Sequence, residues 1–386
     1  MRNLLPQFIQ KKYEVGEWQG RFDGYAVFVD LSGFTPMTEA LMRQGNEGAE
    51  KLSNILNKIF EPLVRIVYER GGFIPYFAGD AFTAIFMPSS VENADSVLMT
   101  AIQLRDYVGN NSFSDEFPIG IKIGVAYGEI EWGIVGDIHK SYYFKGYAID
   151  KSADCQTQAK RQQIVVEEDF KNRLEKNYYN IISIKMANYA IEVTDNQLVN
   201  SLKPYTKKKT NQQANVFKGI EDFLPQAILD FNQAGEFRNV VTVFISFKGI
   251  ETYDELHHFV GVVLAQINNF SGYFKEVDFG DKGGVLVAFF GAPVSYENNT
   301  NRAIECLSAL HLELGSLPGL KFRVGMTAGT AYTGIIGGKE RCQYAVVGNR
   351  VNLAARLMSK ANWGEVLVDE QIKKNRQFKF KYKGDI

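Results

Sequence analysis

The chain has 386 residues, 45% hydrophobic and 23% charged, and its 43 basic side chains almost balance 44 acidic ones for a net charge of -1. This is the composition of an ordinary soluble globular protein of two or three domains, and it excludes a nucleic-acid coat or a polyanion partner. Three scattered cysteines without a CxxC pair disfavour a zinc knuckle and favour a reducing, cytoplasmic setting; no apolar stretch approaches the roughly 18 residues of a membrane span.

Residues 1–19 read as an N-terminal extension, with Leu4 and Leu5 but no signal-peptide core. A strand is predicted over 25–30, ending on Asp30, followed by a loop of mostly small residues through Leu31, Ser32, Gly33, Phe34 and Thr35. Thr35 is the expected N-cap of the next helix, with Pro36 in its first turn. Leu52, Ile55, Leu56 and Ile59 recur at helical spacing, so the helix runs to about residue 60. A hairpin is predicted over 73–76 and 82–86, with its turn at Ala78-Gly79 and a second acid, Asp80, at its tip. A helix over 94–108 and a strand over 119–127 complete the order βαββαβ, the ferredoxin-like plan.

The plan then repeats. Residues 121–128 and 133–136 resemble 322–329 and 334–337, and Gly72 and Gly146 match Gly272 and Gly348, all at an offset of about 200. The expected organisation is a first copy over 20–200, a polar linker over 201–236 and a second copy over 237–386. Lys207, Lys208 and Lys209 in the linker read as a solvated run. The adjacent His257 and His258 read as a solvated helix surface. Two copies of one fold in one chain suggest a pseudo-symmetric pair with two related sites in the cleft between them.

Asp30 and Asp80 each stand at the end of an apolar run. A carboxylate stranded there is costly unless something positive meets it. Two converging carboxylates are what a divalent metal on a phosphate needs, Mg²⁺ fitting two acids plus substrate oxygens. Gly33 suits a loop whose backbone N–H groups cradle phosphates. Asn352 and Arg356 are four apart on a helical segment and share a face.

Three phrases together carry a family resemblance: Phe28-Val29-Asp30-Leu31-Ser32-Gly33-Phe34-Thr35, Phe77-Ala78-Gly79-Asp80-Ala81, and residues 347–356 around Asn352 and Arg356. The chain resembles the class III nucleotidyl cyclases, above all the soluble adenylyl cyclase type with two fused cyclase domains. The resemblance implies an α+β fold, two ferredoxin-like cyclase domains forming a pseudo-two-fold heterodimer within one chain. It implies cyclisation of a nucleoside triphosphate, most of all ATP, to the 3′,5′-cyclic monophosphate and pyrophosphate, with two Mg²⁺ or Mn²⁺ ions. By resemblance, Asp30, Asp80 and the Leu31 backbone hold the metals, and 32–35 bind phosphate. Asn352 orients the ribose, Arg356 meets the α-phosphate, and Lys381, with Lys383 as rival, binds phosphate.

The base-reading positions fall on Glu276 and Ala345, where adenylyl members use lysine and Asp or Thr, and guanylyl members Glu and Cys. Strand alternation sets Lys275 on the opposite face from Glu276. A guanylyl or relaxed-specificity cyclase therefore stays open, as does a catalytically silent nucleotide sensor. The lysine of the soluble type's bicarbonate site falls on Tyr76. In copy two, Ser246 stands for Asp30, and Gly280, beside Asp281, for Asp80; in copy one, Asp150 and Asp154 stand for Asn352 and Arg356. One competent site is expected, in a monomer with no nucleic-acid partner. Relatives often continue into ATPase or repeat domains, which leaves room for further C-terminal domains.

Overall fold

The computed structural model describes residues 3–175, 179–184, 187–193, 217–233, 235–280, 283–315, 317, 319–374 and 377–384. Lys207, Lys208, Lys209 and Asp281 lie outside the described residues, as does most of the expected linker.

Helix α1 (Gln7–Glu14) precedes strand β1 (Gln19–Ser32), which starts earlier than the sequence pattern suggested. Helices α2 (Phe34–Met42) and α3 (Gly45–Glu69) follow, then hairpin β2 (Phe77–Ala78) and β3 (Ala81–Phe86), and α4 (Ala94–Asn110). The first copy continues with β4 (Gly120–Val135), β5 (Ser141–Lys145), α5 (Tyr147–Gln158), β6 (Gln163–Glu167), β7 (Tyr179–Ser183) and β8 (Asn188–Val193). The second runs β9 (Glu236–Lys248), α6 (Tyr253–Asn269), β10 (Tyr273–Gly280), β11 (Gly283–Phe290), α7 (Asn299–Leu314), β12 (Lys321–Gly337), β13 (Cys342–Val347), α8 (Asn349–Lys360) and β14 (Val366–Val368).

Each copy folds for the same reasons. On α3, Leu52, Leu56, Ile59, Leu63 and Val67 make one buried stripe against the sheet. Thr252 and Glu255 close a capping box at the start of α6, and the Asn93 side chain caps α4. The first sheet has the order β2-β3-β1-β4-β6-β8-β7, and the second β10-β11-β9-β12-β13. Matching strands share one register: Phe28 faces Gly124 and Phe244 faces Gly325. Both copies are thus α+β, with one strand order repeated at the heart of each sheet.

The copies meet reciprocally. The α3 helix packs on β12 and α6 on β4. Lys275 Nζ donates to Phe77 O at 2.9 Å, Phe77 N to the Gln343 amide at 3.0 Å, and Tyr253 Oη to Ile134 O at 2.6 Å. Arg341, 1% exposed, clasps Leu4 O, Ile74 O and Pro75 O together. Residues 3–14 are therefore a wedge rather than a free extension: Leu4 joins the apolar cluster of copy two, and Leu5 and Ile9 join that of copy one. Beyond the undescribed part of the linker, Phe217 and Ile228 are buried as well.

Candidate active site

β1 lies between β3 and β4, so Asp30 at its end faces Ala81 on one side and Lys122 on the other. The tight turn between β2 and β3 carries Asp80 alongside, and Leu31 N donates to Asp80 O at 3.2 Å. Burial first, and the charge of Asp30 second, push the Asp80 carboxyl up to about 7. Burial also raises Asp30, partly offset by Lys122. Two half-buried acids, both raised by burial and one raised further by the other's charge, form an oxygen donor set short of positive charge, which fits a hard divalent cation. No group of three or more His, Cys, Asp or Glu is placed to hold a metal ion among the described residues, so further ligands would come from main chain, water or substrate.

After Asp30 the chain turns at Gly33, with φ 88°. A Cβ there would approach Pro118 O to 2.5 Å, so both conformation and space demand glycine. Gly33, not Thr35, is the N-cap of α2; Thr35 is already its second residue, and no side chain caps the helix. Phe34 is buried. Ser32 still belongs to β1, opposite Gly120, and its Oγ is buried without a partner. Ladder pairing thus removes Ser32 from the loop, and the free N–H groups begin at its far side.

Asn352 and Arg356 lie one turn apart on α8. Both are exposed, and neither side chain makes a hydrogen bond or ion pair among the described residues. The helix starts beside copy one, for a Cβ on Gly348 would sit 3.0 Å from the Met42 side chain at the end of α2. The structure brings Asp30 and Asp80 together; it does not bring Asn352 or Arg356 into contact with them. Lys381 is exposed, whereas Lys383 is engaged by Glu365 at 2.6 Å.

The positions expected to read the base differ from strict strand alternation. The ladder slips between Phe274 and Glu276, so two residues of β10 oppose one of β11. This bulge puts Lys275 and Glu276 on the same side. Their side chains, 7% and 9% exposed, pair at 2.5 Å. Gln343 Nε2 donates to the other Glu276 oxygen at 3.4 Å. Burial raises the Glu276 carboxyl, and Lys275 opposes that rise. Ala345 is buried in the apolar cluster that holds Phe77 and Phe60. Sequence reasoning missed Gln343, although its place two residues before Ala345 on one strand puts both on one face.

The counterpart site in copy two is closed. Ser246 takes the register of Asp30, facing Val285 and Arg323 as Asp30 faces Ala81 and Lys122. The residue before Val285, Gly284, takes the place of Asp80; Gly280 pairs with Gly283 further out, because this hairpin is longer. Tyr143 packs on Phe279 with centroids 5.3 Å apart, and Lys145 pairs with Glu131 at 3.2 Å. What remains between them is a cavity of about 90 Å³.

The family described as Adenylate and Guanylate cyclase catalytic domain matches residues 23–197 and 286–386. Adenylate cyclase type 10 of Homo sapiens is 26% identical over 387 residues, covering 87% of this chain and 24% of the relative. The protein of that name from Oryctolagus cuniculus is 25% identical over 393 residues with the same coverage. The chain thus spans about a quarter of the length of these curated relatives. A class III adenylyl cyclase-like ATP-binding protein from Pseudomonas aeruginosa superposes with a TM-score of 0.64 at 13% identity, covering 92% of this chain and 85% of that one.

Proposed function

Since the chain belongs to the adenylate and guanylate cyclase catalytic domain family, we propose that it cyclises ATP to 3′,5′-cyclic AMP and pyrophosphate at one site between its two copies. The observation that carries the reading is the convergence of Asp30 and Asp80 in copy one, each acid raised by burial and Asp80 raised further by its partner's charge.

Asp30 and Asp80 would hold two Mg²⁺ or Mn²⁺ ions, with the Leu31 main chain beside them. Bound there, the metals would activate the ribose 3′-oxygen and neutralise the triphosphate. The uncapped start of α2 after Gly33 offers Phe34 and Thr35 N–H groups to phosphate oxygens. Arg356 supplies a permanent cation for the charge that develops on the α-phosphate. Asn352, one turn earlier, orients the ribose. Both stand clear of Asp30 and Asp80 in this structure, so catalysis requires α8 to close on them. Lys381 is the cation left for the leaving phosphates, as Lys383 is tied to Glu365.

The bulge at Lys275 favours adenine. An ammonium can donate to adenine N1, and the second Glu276 oxygen, held only by the long 3.4 Å contact from Gln343, can accept once from its amino group. Guanine would want a carboxylate free to accept twice, whereas Glu276 is already engaged by Lys275. Three buried cysteines, none in a disulfide among the described residues, support a reducing, cytoplasmic setting for a signalling enzyme.

A silent nucleotide-binding module is the second reading, favoured by the separation of Asn352 and Arg356 from the acids. Incubation with ATP, GTP, CTP or UTP and Mn²⁺ separates the two. Cyclic AMP as the main product supports the first reading; nucleotide binding without any cyclic product establishes the second.

A further inference from the structure

Helix α5 of copy one and α8 of copy two occupy the same place on their sheets. A Cβ on Gly124 would strike Ser152 O and Gln156 N; a Cβ on Gly325 would strike Ala354 O and Met358 N. Gln156 therefore corresponds to Met358. On the outer side of these helices, Asn352 and Arg356 of copy two are replaced in copy one by Asp150 and Asp154, the latter paired with Lys151 at 3.1 Å. Helix α5 cannot serve a triphosphate with those residues.

The inner side of the two helices differs in step with the strand beneath. In copy one Gln156 is buried, 9% exposed, and its Nε2 donates to Asp30 Oδ2 at 2.8 Å. In copy two Met358 is fully buried among apolar side chains, and the Ser246 hydroxyl at the Asp30 register has no partner. A polar pair in one copy thus answers an apolar side chain and an orphan hydroxyl in the other. A neutral amide is well suited to the first task. It fixes one carboxylate oxygen without neutralising the charge, and it leaves Oδ1 open, whereas a lysine there would compete with a cation. Lys122, across the ladder, already supplies what positive charge Asp30 receives from the protein.

We infer that Gln156 is a positioning residue that orients the Asp30 carboxylate for a divalent cation, a role resting on the cyclase reading of the site. Helix α5 has thereby become a buttress for the acid of its own copy.

The test is Mn²⁺ uptake by the full chain with α,β-methylene ATP, followed by electron paramagnetic resonance of the free ion. Gln156→Met installs the residue of copy two, and Gln156→Asn keeps the amide on a stem too short to reach; whichever variant melts like the unaltered chain decides. Mn²⁺ affinity should fall about tenfold or more while nucleotide binding in EDTA stays unchanged. Affinity within about twofold of the unaltered chain overturns the inference. Asp30→Ala is the control. If it takes up Mn²⁺ as well as the unaltered chain, the metal reading of the site itself fails, and the inference falls with it.

Discussion

Strand β1 ends on Asp30 and strand β9 carries Ser246 at the same register, yet the two ends have opposite surroundings. Beside Asp30 stand a second acid, a glycine turn and a helix start with no side-chain cap. Beyond Ser246 stand Tyr143, Phe279 and a capping box at Thr252 that takes up the Thr252 and Glu255 N–H groups. The second pocket has about 90 Å³ left, well below the roughly 300 Å³ at which ligand pockets begin. On the proposed reading, the tandem repeat keeps one of two symmetric sites by moving each function to a single copy. The acids stay in the first, the arginine and asparagine in the second, and aromatic packing fills the place that is given up.

Breaking this comparison at the acids should have the largest effect. Asp80→Asn should take cyclic AMP formation to background, while Ser246→Ala, at the counterpart position, leaves it unchanged. Next comes the arginine. Arg356→Ala should lower kcat on the order of 100-fold with little change in KM, since its charge is needed only in the transition state. Asp154→Ala, at the same position in copy one, should change neither constant. Lys275→Ala should move the ratio of ATP to GTP turnover toward GTP by roughly tenfold, through loss of the donor to adenine.

The smallest effect concerns stability and pH. Because the folded pKa of Asp80 is raised from its ordinary value to about 7, the fold prefers the protonated acid, and its contribution to stability is lost as pH rises from the ordinary carboxylate range through about 7. The metal-free chain should therefore melt a few degrees lower at pH 8 than at pH 5. Asp80→Asn should remove most of that slope, and Mg²⁺ should offset it in the unaltered chain at pH 8. Melting curves with EDTA and with Mg²⁺ check both.

The repeat, both acids and the Asn352–Arg356 pair were legible in the sequence, because short phrases at constant offset carry them. What escaped it depends on register or on distant contacts. The bulge at Lys275 has no glycine to mark it, so strict alternation wrongly parted Lys275 from Glu276. The longer second hairpin hid the equivalence of Gly284 with Asp80. Thr35-Pro36 looked like a helix start, but the clearance at Gly33 sets the turn two residues earlier. Leu4 and Leu5 have no periodicity, and Arg341, which holds Leu4, lies at the far end of the sequence.

The central claim is a single competent site built from two unequal halves. Calorimetric titration of the full chain with α,β-methylene ATP and Mg²⁺ tests it most directly. One nucleotide per chain, with uptake lost in Asp80→Asn, is the predicted result. Two nucleotides per chain, or one whose binding survives both Asp30→Ala and Asp80→Asn unchanged, would contradict it.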